Sequence, residues 1–450
     1  VVFLVVNRER VCAPPVRSGL RKRLSGIEIS GLRFGKQHLI RILHTADVHL
    51  DSPLKSLALR DEGLQSTVQT ATRTAFTRLV DFALAEGVSA LLIAGDLFDG
   101  AERSAKTAAF LTGQLDRLKQ ADIPVFYIKG NHDAENPLTG EVSLPENVYV
   151  FDGRGGRHQL GETNIWIYGV SFSGRQAPDS LLPKFGSPEP DAINIAMLHT
   201  SLAGSQGHDT YAPCSVAELS AMGFDYWALG HVHKRQVHSS APWIVMAGIP
   251  QGRDIGEAGP KSATLLSIED KSISVSEVPT SAAEFLELKV DIGGCETDDE
   301  IRSHVRQQLQ GVAENLVADV GLIRLTVAGQ TDRKWQVLRD QDAWTEVTAE
   351  LARSTDRLWI EKTKFNLSEK AEGSDSKSAV GELEALMAEI SKEPANAATM
   401  RDLLDTLVNE IPTARRAQLL PNEEAAEQLL RSLSEDGAES ILAAMKGASE

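Results

Sequence analysis

Residues 123–133 read Ile-Pro-Val-Phe-Tyr-Ile-Lys-Gly-Asn-His-Asp, an apolar run that stops in a glycine, an amide, an imidazole and a carboxylate. The run has the length and the β-branched and aromatic content of a buried strand. No hydrophobic core would choose the four residues that end it. The same punctuation recurs four more times, in "IRILHTADVHLD" (40–51), "SALLIAGDLFDG" (89–100), "AINIAMLHTS" (192–201) and "DYWALGHVH" (225–233). In each, a strand-like stretch gives way to carboxylate, amide or imidazole side chains. The residues so marked are Asp47 and His49, Asp96 and Asp99, Asn131 and His132, His199, and His231 and His233.

Between these strands lie helical patterns. Leu64–Gly87 carries an apolar stripe at Leu64, Val68, Ala71, Ala75, Leu79 and Phe82, and Ala105–Ala121 is a second helix. Strand, helix, strand, helix, strand means crossover units with mostly parallel pairing. The helices thin out further on, and "ATLLSIED" and "SISVSEV" form a hairpin around Lys271. The expected fold is α/β, with two sheets packed face to face and helices outside. The carboxyl ends of parallel strands share one edge, where sites form. Donors from five loops therefore converge on one place. Carboxylates with imidazoles and an amide oxygen suit manganese, iron or zinc better than calcium or magnesium. So many side chains exceed the needs of one tetrahedral ion and suit two ions with a shared carboxylate. Gly95, Gly130 and Gly230 each precede a ligand and allow a close backbone approach.

Bulk properties bound the rest. A chain of 450 residues holds two or three cores. No apolar run approaches the roughly 20 residues of a membrane helix. Cys12, Cys214 and Cys295 lie too far apart for a disulfide framework, which points to a reducing, cytoplasmic setting. Residues 1–39 differ from the remainder: up to Arg41 there are nine Lys/Arg against two Asp/Glu, leaving about −24 of the overall −17 for the rest. This stretch reads as an acid-poor transit segment or as one upstream of a start near Leu39, and little order is expected in it.

The five blocks, in order, resemble the calcineurin-like metallophosphoesterases: D-x-H, G-D-x-x-D, G-N-H-D/E, H and G-H-x-H. The resemblance covers roughly Ile40–Val278, and "HTADVHLDSPL" with "AGDLFD" is similar to the SbcD/YhaO-type DNA repair exonuclease branch. It implies a two-sheet β-sandwich flanked by helices, and two divalent ions. Asp47, His49, Asp96 and His233 would hold one ion. Asp96, Asn131, His199 and His231 would hold the other, with Asp96 bridging. His132 would be the general acid and Asp99 the carboxylate that orients it, with a metal-bound hydroxide as nucleophile. Manganese is the first choice of metal, with iron or zinc as alternatives. DNA would be the substrate, an SMC-like ATPase of the SbcC/YhaN type the partner, and a homodimer is a further possibility. A phosphatase or small-molecule phosphodiesterase of the same fold, or a non-catalytic scaffold of an ATPase complex, is the alternative. Gly100 and Asp133 stand where protein phosphatases carry Arg and Glu.

The implied organisation is a phosphoesterase domain at 40–279, an α/β capping domain that positions DNA at 280–365, and a linker with a helical, partner-docking tail at 366–450. In the cap, strands at 285–292, "GLIRLTVAG" and "RLWIEKTKF" alternate with helices at Asp298–Val312 and Trp335–Ala352. In the tail, Leu383, Leu386, Met387 and Ile390, then Leu403, Leu404, Leu407, Val408 and Ile411, make apolar stripes. His44 reads as a hydrogen-bonded structural histidine. Asp51 reads equally as a loop cap or a support to the site, and Asp133 as a loop-fixing residue. His208 and His238 are expected on the surface, and Lys234 and Arg235 are candidate phosphate contacts.

Overall fold

The computed structural model describes residues 39–54, 62–99, 104–135, 143–202, 211–369, 379–391, 393–412, 415–416 and 419–446. The expectation for 1–39, except at Leu39, lies outside the described residues, as do Gly100 and His208. The core is a sandwich of two six-stranded sheets. Strands β1 (Ile40–Thr45), β2 (Ala90–Ala94), β3 (Val125–Ile128) and β4 (Val148–Val150) run parallel in the first sheet. The second holds β5 (Gly156–Gln159), β6 (Ile165–Gly169), β7 (Ile193–His199), β8 (Tyr226–Gly230), β9 (Gln236–Ser240) and β10 (Trp243–Met246), in the order β5-β6-β7-β8-β10-β9. The hairpin β11 (Ser262–Glu269) and β12 (Ser272–Pro279) then returns to the first sheet, antiparallel to β1.

Alternation along each strand decides which layer a side chain joins. In β3, Phe126 and Ile128 point between the sheets with Ile167, Ile195 and Val245. Val125 and Tyr127 point outward, under Phe76, Leu79, Leu111 and Leu115 of the helices Ala71–Glu86 and Ala105–Gln120. Burying each such side chain stabilises the fold by about 1.5–3 kcal/mol. Strands β4, β5 and β9 give no sequence signal because they are short and largely exposed edge pieces.

The stripe beginning at Leu64 is two helices, Glu62–Gln69 and Ala71–Glu86, interrupted at Thr70. The Thr70 hydroxyl donates to the Ser66 carbonyl, and the backbone leaves the helical region there (φ −109°, ψ 3°). The break serves two cores. Leu64 and Val68 pack against Ala282, Phe285 and Leu322, while Phe76 and Leu79 pack on the first sheet.

A three-stranded parallel sheet follows: β13 (Ala283–Asp291), β14 (Val320–Gln330) and β15 (Leu358–Ser368). Its first crossover helix, Asp298–Asn315, starts on a capping box between Thr297 and Glu300. Its second crossover is split at Asp340 into Lys334–Arg339 and Gln341–Arg353 rather than continuous. Helices Ala379–Ile390, Pro394–Asn409 and Glu423–Lys446 complete the chain. The last packs Leu442 and Ala443 on Trp335 and Leu338. Of the tail stripes, Leu404 is buried, whereas Leu386, Ile390, Leu403 and Leu407 remain exposed. No helix among the described residues is long and apolar enough to cross a membrane.

His44 sits fully buried between the sheets, with Nδ1 3.0 Å from the Tyr226 hydroxyl. Burial pulls its imidazole down from 6.5 to about 3. Below pH 6.5 the unfolded chain takes up a proton that the native chain refuses. The stability that neutral His44 allows is thus complete above about 6.5 and is lost as pH falls towards 3. In a His44→Asn variant this loss is absent. Urea unfolding at pH 7.5 and pH 5.0 is expected to show the gap between parent and variant narrowing at the lower pH by about 2 kcal/mol. A gap independent of pH would refute the assignment.

Candidate metal centre

Strands β1, β2, β3, β7 and β8 all deliver their carboxyl ends to one edge of the sandwich. Backbone bonds lock the loops beyond them together: Asp47 N–H donates to Gly95 O at 2.9 Å, His49 N–H to Asp96 O at 3.0 Å and Thr200 N–H to Gly230 O at 3.1 Å. The price is local strain: Asp47, His49, Asp96 and His231 all have positive φ (50°, 44°, 52° and 99°), a conformation that non-glycine residues adopt only when their surroundings impose it. Three glycines are sterically obligatory: a Cβ on Gly230 would overlap the Ala94 carbonyl. A Cβ on Gly95 (φ 94°) would overlap the His199 ring, and one on Gly130 would overlap Asp96 Oδ1 and come 2.8 Å from His199 Nε2.

Donor atoms collect in two clusters, each within 4.8 Å: Asp47, His49 and His233, and Asp96, His199 and His231. The Asn131 amide oxygen lies 3.1 Å from His199 Nε2. A third group, His49, Asp99 and His132, overlaps the first. Asp99 is shared: its carboxylate is 3.4 Å from His49 Nδ1 and 3.7 Å from His132 Nδ1. The other candidate residues divide. Asp51 is held by Arg73 through two 2.6 Å bonds and by the Thr107 hydroxyl, as a loop anchor. Asp133 accepts the Phe98 and Gly130 amides at 3.0 and 3.1 Å, clamping two of the site loops to each other. Arg235 is bonded to Glu277 and Thr264 on the hairpin. His238 is half-buried in an edge strand.

Hydrogen bonding places a proton on Nδ1 of two of the rings. His199 Nδ1 donates to the Ala94 carbonyl at 2.9 Å. Its Nε2 then faces Asp96 Oδ2 at 3.3 Å and Asn131 Oδ1 at 3.1 Å. His233 Nδ1 donates to Glu257 Oε1 at 2.6 Å, and His49 Nδ1 faces Asp99. The two remaining nitrogens, His49 Nε2 and His233 Nε2, point at each other across 3.2 Å. Ring nitrogens turned towards one another and towards buried carboxylates are the arrangement that divalent cations satisfy, so the donor set fits two metal ions.

The charges agree. Burial lifts the Asp47 carboxyl above the usual carboxylate range, against the pull of neighbouring imidazoles. Burial also pulls His199 down, but Asp96 and Asp47 override it and push the imidazole up to about 9. The same His199 charge, with its hydrogen bond, holds Asp96 low against its burial. Asp99 is held low mainly by the His49 imidazole 3.4 Å from it. Glu257 and Arg253 went unnoticed in the sequence because they lie beyond the end of β10, in "QGRDIGE", outside the pattern of a strand ending in a ligand.

Residues 40–235 match the family model of the calcineurin-like phosphoesterases. The chain therefore carries a calcineurin-like metallophosphoesterase domain. Residues 285–368 match the middle domain of the metallophosphoesterase YhaO. An uncharacterized metallophosphoesterase YhaO of Bacillus subtilis is 36% identical over 240 residues, which is 52% of this chain and 59% of the relative. A DNA double-strand break repair protein Mre11 of Sulfolobus acidocaldarius is 26% identical over 300 residues, covering 62% of this chain and 72% of the relative. Mre11 of Methanosarcina mazei is 27% identical over 289 residues, covering 62% of this chain and 44% of the relative. The chain thus spans about three fifths of the length of the YhaO protein it matches.

Elemental analysis of protein reconstituted with manganese is expected to find two ions per chain, and chelation is expected to lower the melting temperature. At a free ion concentration 100-fold above Kd, binding adds about 2.7 kcal/mol of stability. Gly130→Ala is expected to lose one of the two ions, because the added methyl occupies the space of Asp96 and His199. Unchanged stoichiometry in that variant would contradict this geometry.

Proposed function

We propose that this chain is a dinuclear metal-dependent phosphodiesterase that cleaves DNA, a nuclease subunit of a repair complex with an SMC-like ATPase. The observation that carries the reading is the pair of imidazole and carboxylate clusters with a more open histidine beside them. The His132 side chain is 38% exposed, against 24% for His233, 1% for His49 and 0% for His199, so it is the most open of these four to a phosphodiester. The Mre11 relatives are named as DNA double-strand break repair proteins, which favours DNA over a small ester. Two divalent cations, manganese first among the choices, supply charge neutralisation and lower the pKa of bound water towards 7.

The chain's own residues do the rest. Asp47, His49 and His233 would hold one ion, and Asp96, Asn131, His199 and His231 the other, with Asp96 the residue that would be shared. His132 protonates the leaving oxygen, and Asp99 keeps its Nδ1 edge facing away from the substrate. Asp96 Oδ1 accepts the His132 amide at 2.9 Å, so the acid rides on the same loop geometry as the ligands.

Electrostatics assign the partner its part. Residues 280–365 sum to about −5 and 366–450 to about −9, the reverse of a basic DNA platform. The ATPase then provides most of the duplex affinity.

His132→Ala is expected to keep both ions while cleavage of end-labelled duplex falls roughly 10²–10⁴-fold. Undiminished cleavage would remove His132 from the mechanism. Turnover of a nitrophenyl diester without any DNA cleavage would favour the small-molecule alternative. Nanomolar duplex binding by the isolated chain at physiological salt would sink the shared-affinity part.

A further inference from the structure

Between β10 and β11 the chain makes a ten-residue loop, 250–259, that touches the metal centre with one end and the α/β cap with the other. Glu257 is the inner contact. Its carboxylate accepts from His233 Nδ1 at 2.6 Å, from the Arg253 amide at 2.7 Å and from Arg253 Nη2 at 2.9 Å. A nitrogen and a carboxylate oxygen 2.6 Å apart need a proton between them. The carboxylate, paired with the Arg253 guanidinium, can only accept, so the hydrogen in that contact sits on Nδ1; Arg253 Nη2, itself only a donor, lies 3.0 Å from the same nitrogen. Hydrogen bonds of this kind set the orientation and basicity of metal-binding histidines.

Gln251 is the outer contact. It is fully buried, and both ends of its amide are used. Nε2 donates to Gly252 O at 2.8 Å and Ala283 O at 2.7 Å, while Oε1 accepts from the Ala282 and Ala283 amides at 2.8 and 3.2 Å. Those two alanines lead into β13, the first strand of the cap. Thr280 Oγ1 adds a bond to Pro250 O at 2.7 Å, and the Gly259 amide one to Phe285 O at 2.9 Å. Ile255 packs in the apolar joint beside Ala282 and Phe285.

We propose that loop 250–259 is a positioning strap that couples the placement of the cap to the metal site containing His233, with Glu257 orienting the histidine and Gln251 fixing the strap to β13. The proposal rests on the reading of His233 as a metal ligand. A cap shifted by a bound nucleic acid or partner displaces Glu257 from His233 and weakens the ion, and by linkage the ion stiffens the base of the cap.

The tests read metal and backbone rather than turnover, so they stand apart from the question of DNA cleavage. Manganese calorimetry on the chelated full chain is expected to show one of two sites weakened 10–100-fold in Glu257→Ala. Gln251→Ala, which removes only bonds to backbone, is expected to weaken the same site. Imidazole nitrogen shifts of metal-free protein are expected to place His233 in the Nδ1–H form in the parent and in a mixture in Glu257→Ala. In the unaltered chain, adding manganese is expected to slow hydrogen exchange in 250–259 and 283–291 together. The proposal is overturned if Glu257→Ala leaves both affinities and the His233 tautomer as they were. It is equally overturned if manganese protects 250–259 without reaching β13.

Discussion

Everything at the site follows from placing two carboxylates, Asp47 and Asp96, where water does not reach them (0% and 2% exposed). An isolated buried carboxylate is costly, so the surroundings must supply positive charge or hydrogen-bond donors. Backbone amides supply part of it: His231 N–H donates to both oxygens of Asp47, and His132 N–H to Asp96. What remains is the Nε2 atoms of His49, His199 and His233 and the Asn131 amide oxygen, turned towards the same spaces. Cations complete that balance, and the carboxylates and imidazoles acquire their purpose together.

The scaffold makes this arrangement rigid. Two parallel half-sheets present their carboxyl ends to a common edge, and backbone bonds tie the loops beyond them to one another. Strained backbone at Asp47, Asp96 and His231 is tolerated because strands on both sides over-determine it. Asp133 has a similar task, since one carboxylate ties the β2 and β3 loops through two backbone amides. Burial and the charge of Asp96 push its carboxyl up to about 6, the cost of holding that clamp in a dry place beside another acid.

Beyond the phosphoesterase fold, the cap and tail are joined by contacts of different kinds. The cap meets the sandwich through an apolar joint around Phe285 and through Gln251. The final helix meets the cap through Trp335, whose ring has the Lys334 and Lys446 ammonium groups each 4.4 Å from its centroid. Acidic partners at Glu384 and Glu439 hold those lysines in place. A cap and tail of net negative charge make poor surfaces for a polyanion by themselves.

Much of this was legible in the sequence by itself. Five apolar runs ending in Asp, Asn or His are a one-dimensional signal, because strand length, alternation and the polar stop are all local properties. The two sheets, the hairpin around Lys271 and the α/β alternation of the cap are local in the same sense. What only tertiary structure decided is who faces whom. The break at Thr70 exists because Leu64 and Phe76 serve different cores. Asp99 reaches His49 as well as His132. Asp51 and Arg235, close in sequence to ligands, are drawn to Arg73 and to Glu277 instead. Glu257 reaches His233 from 24 residues away. Such pairings depend on distances between separate segments, and no periodicity along a single chain encodes them.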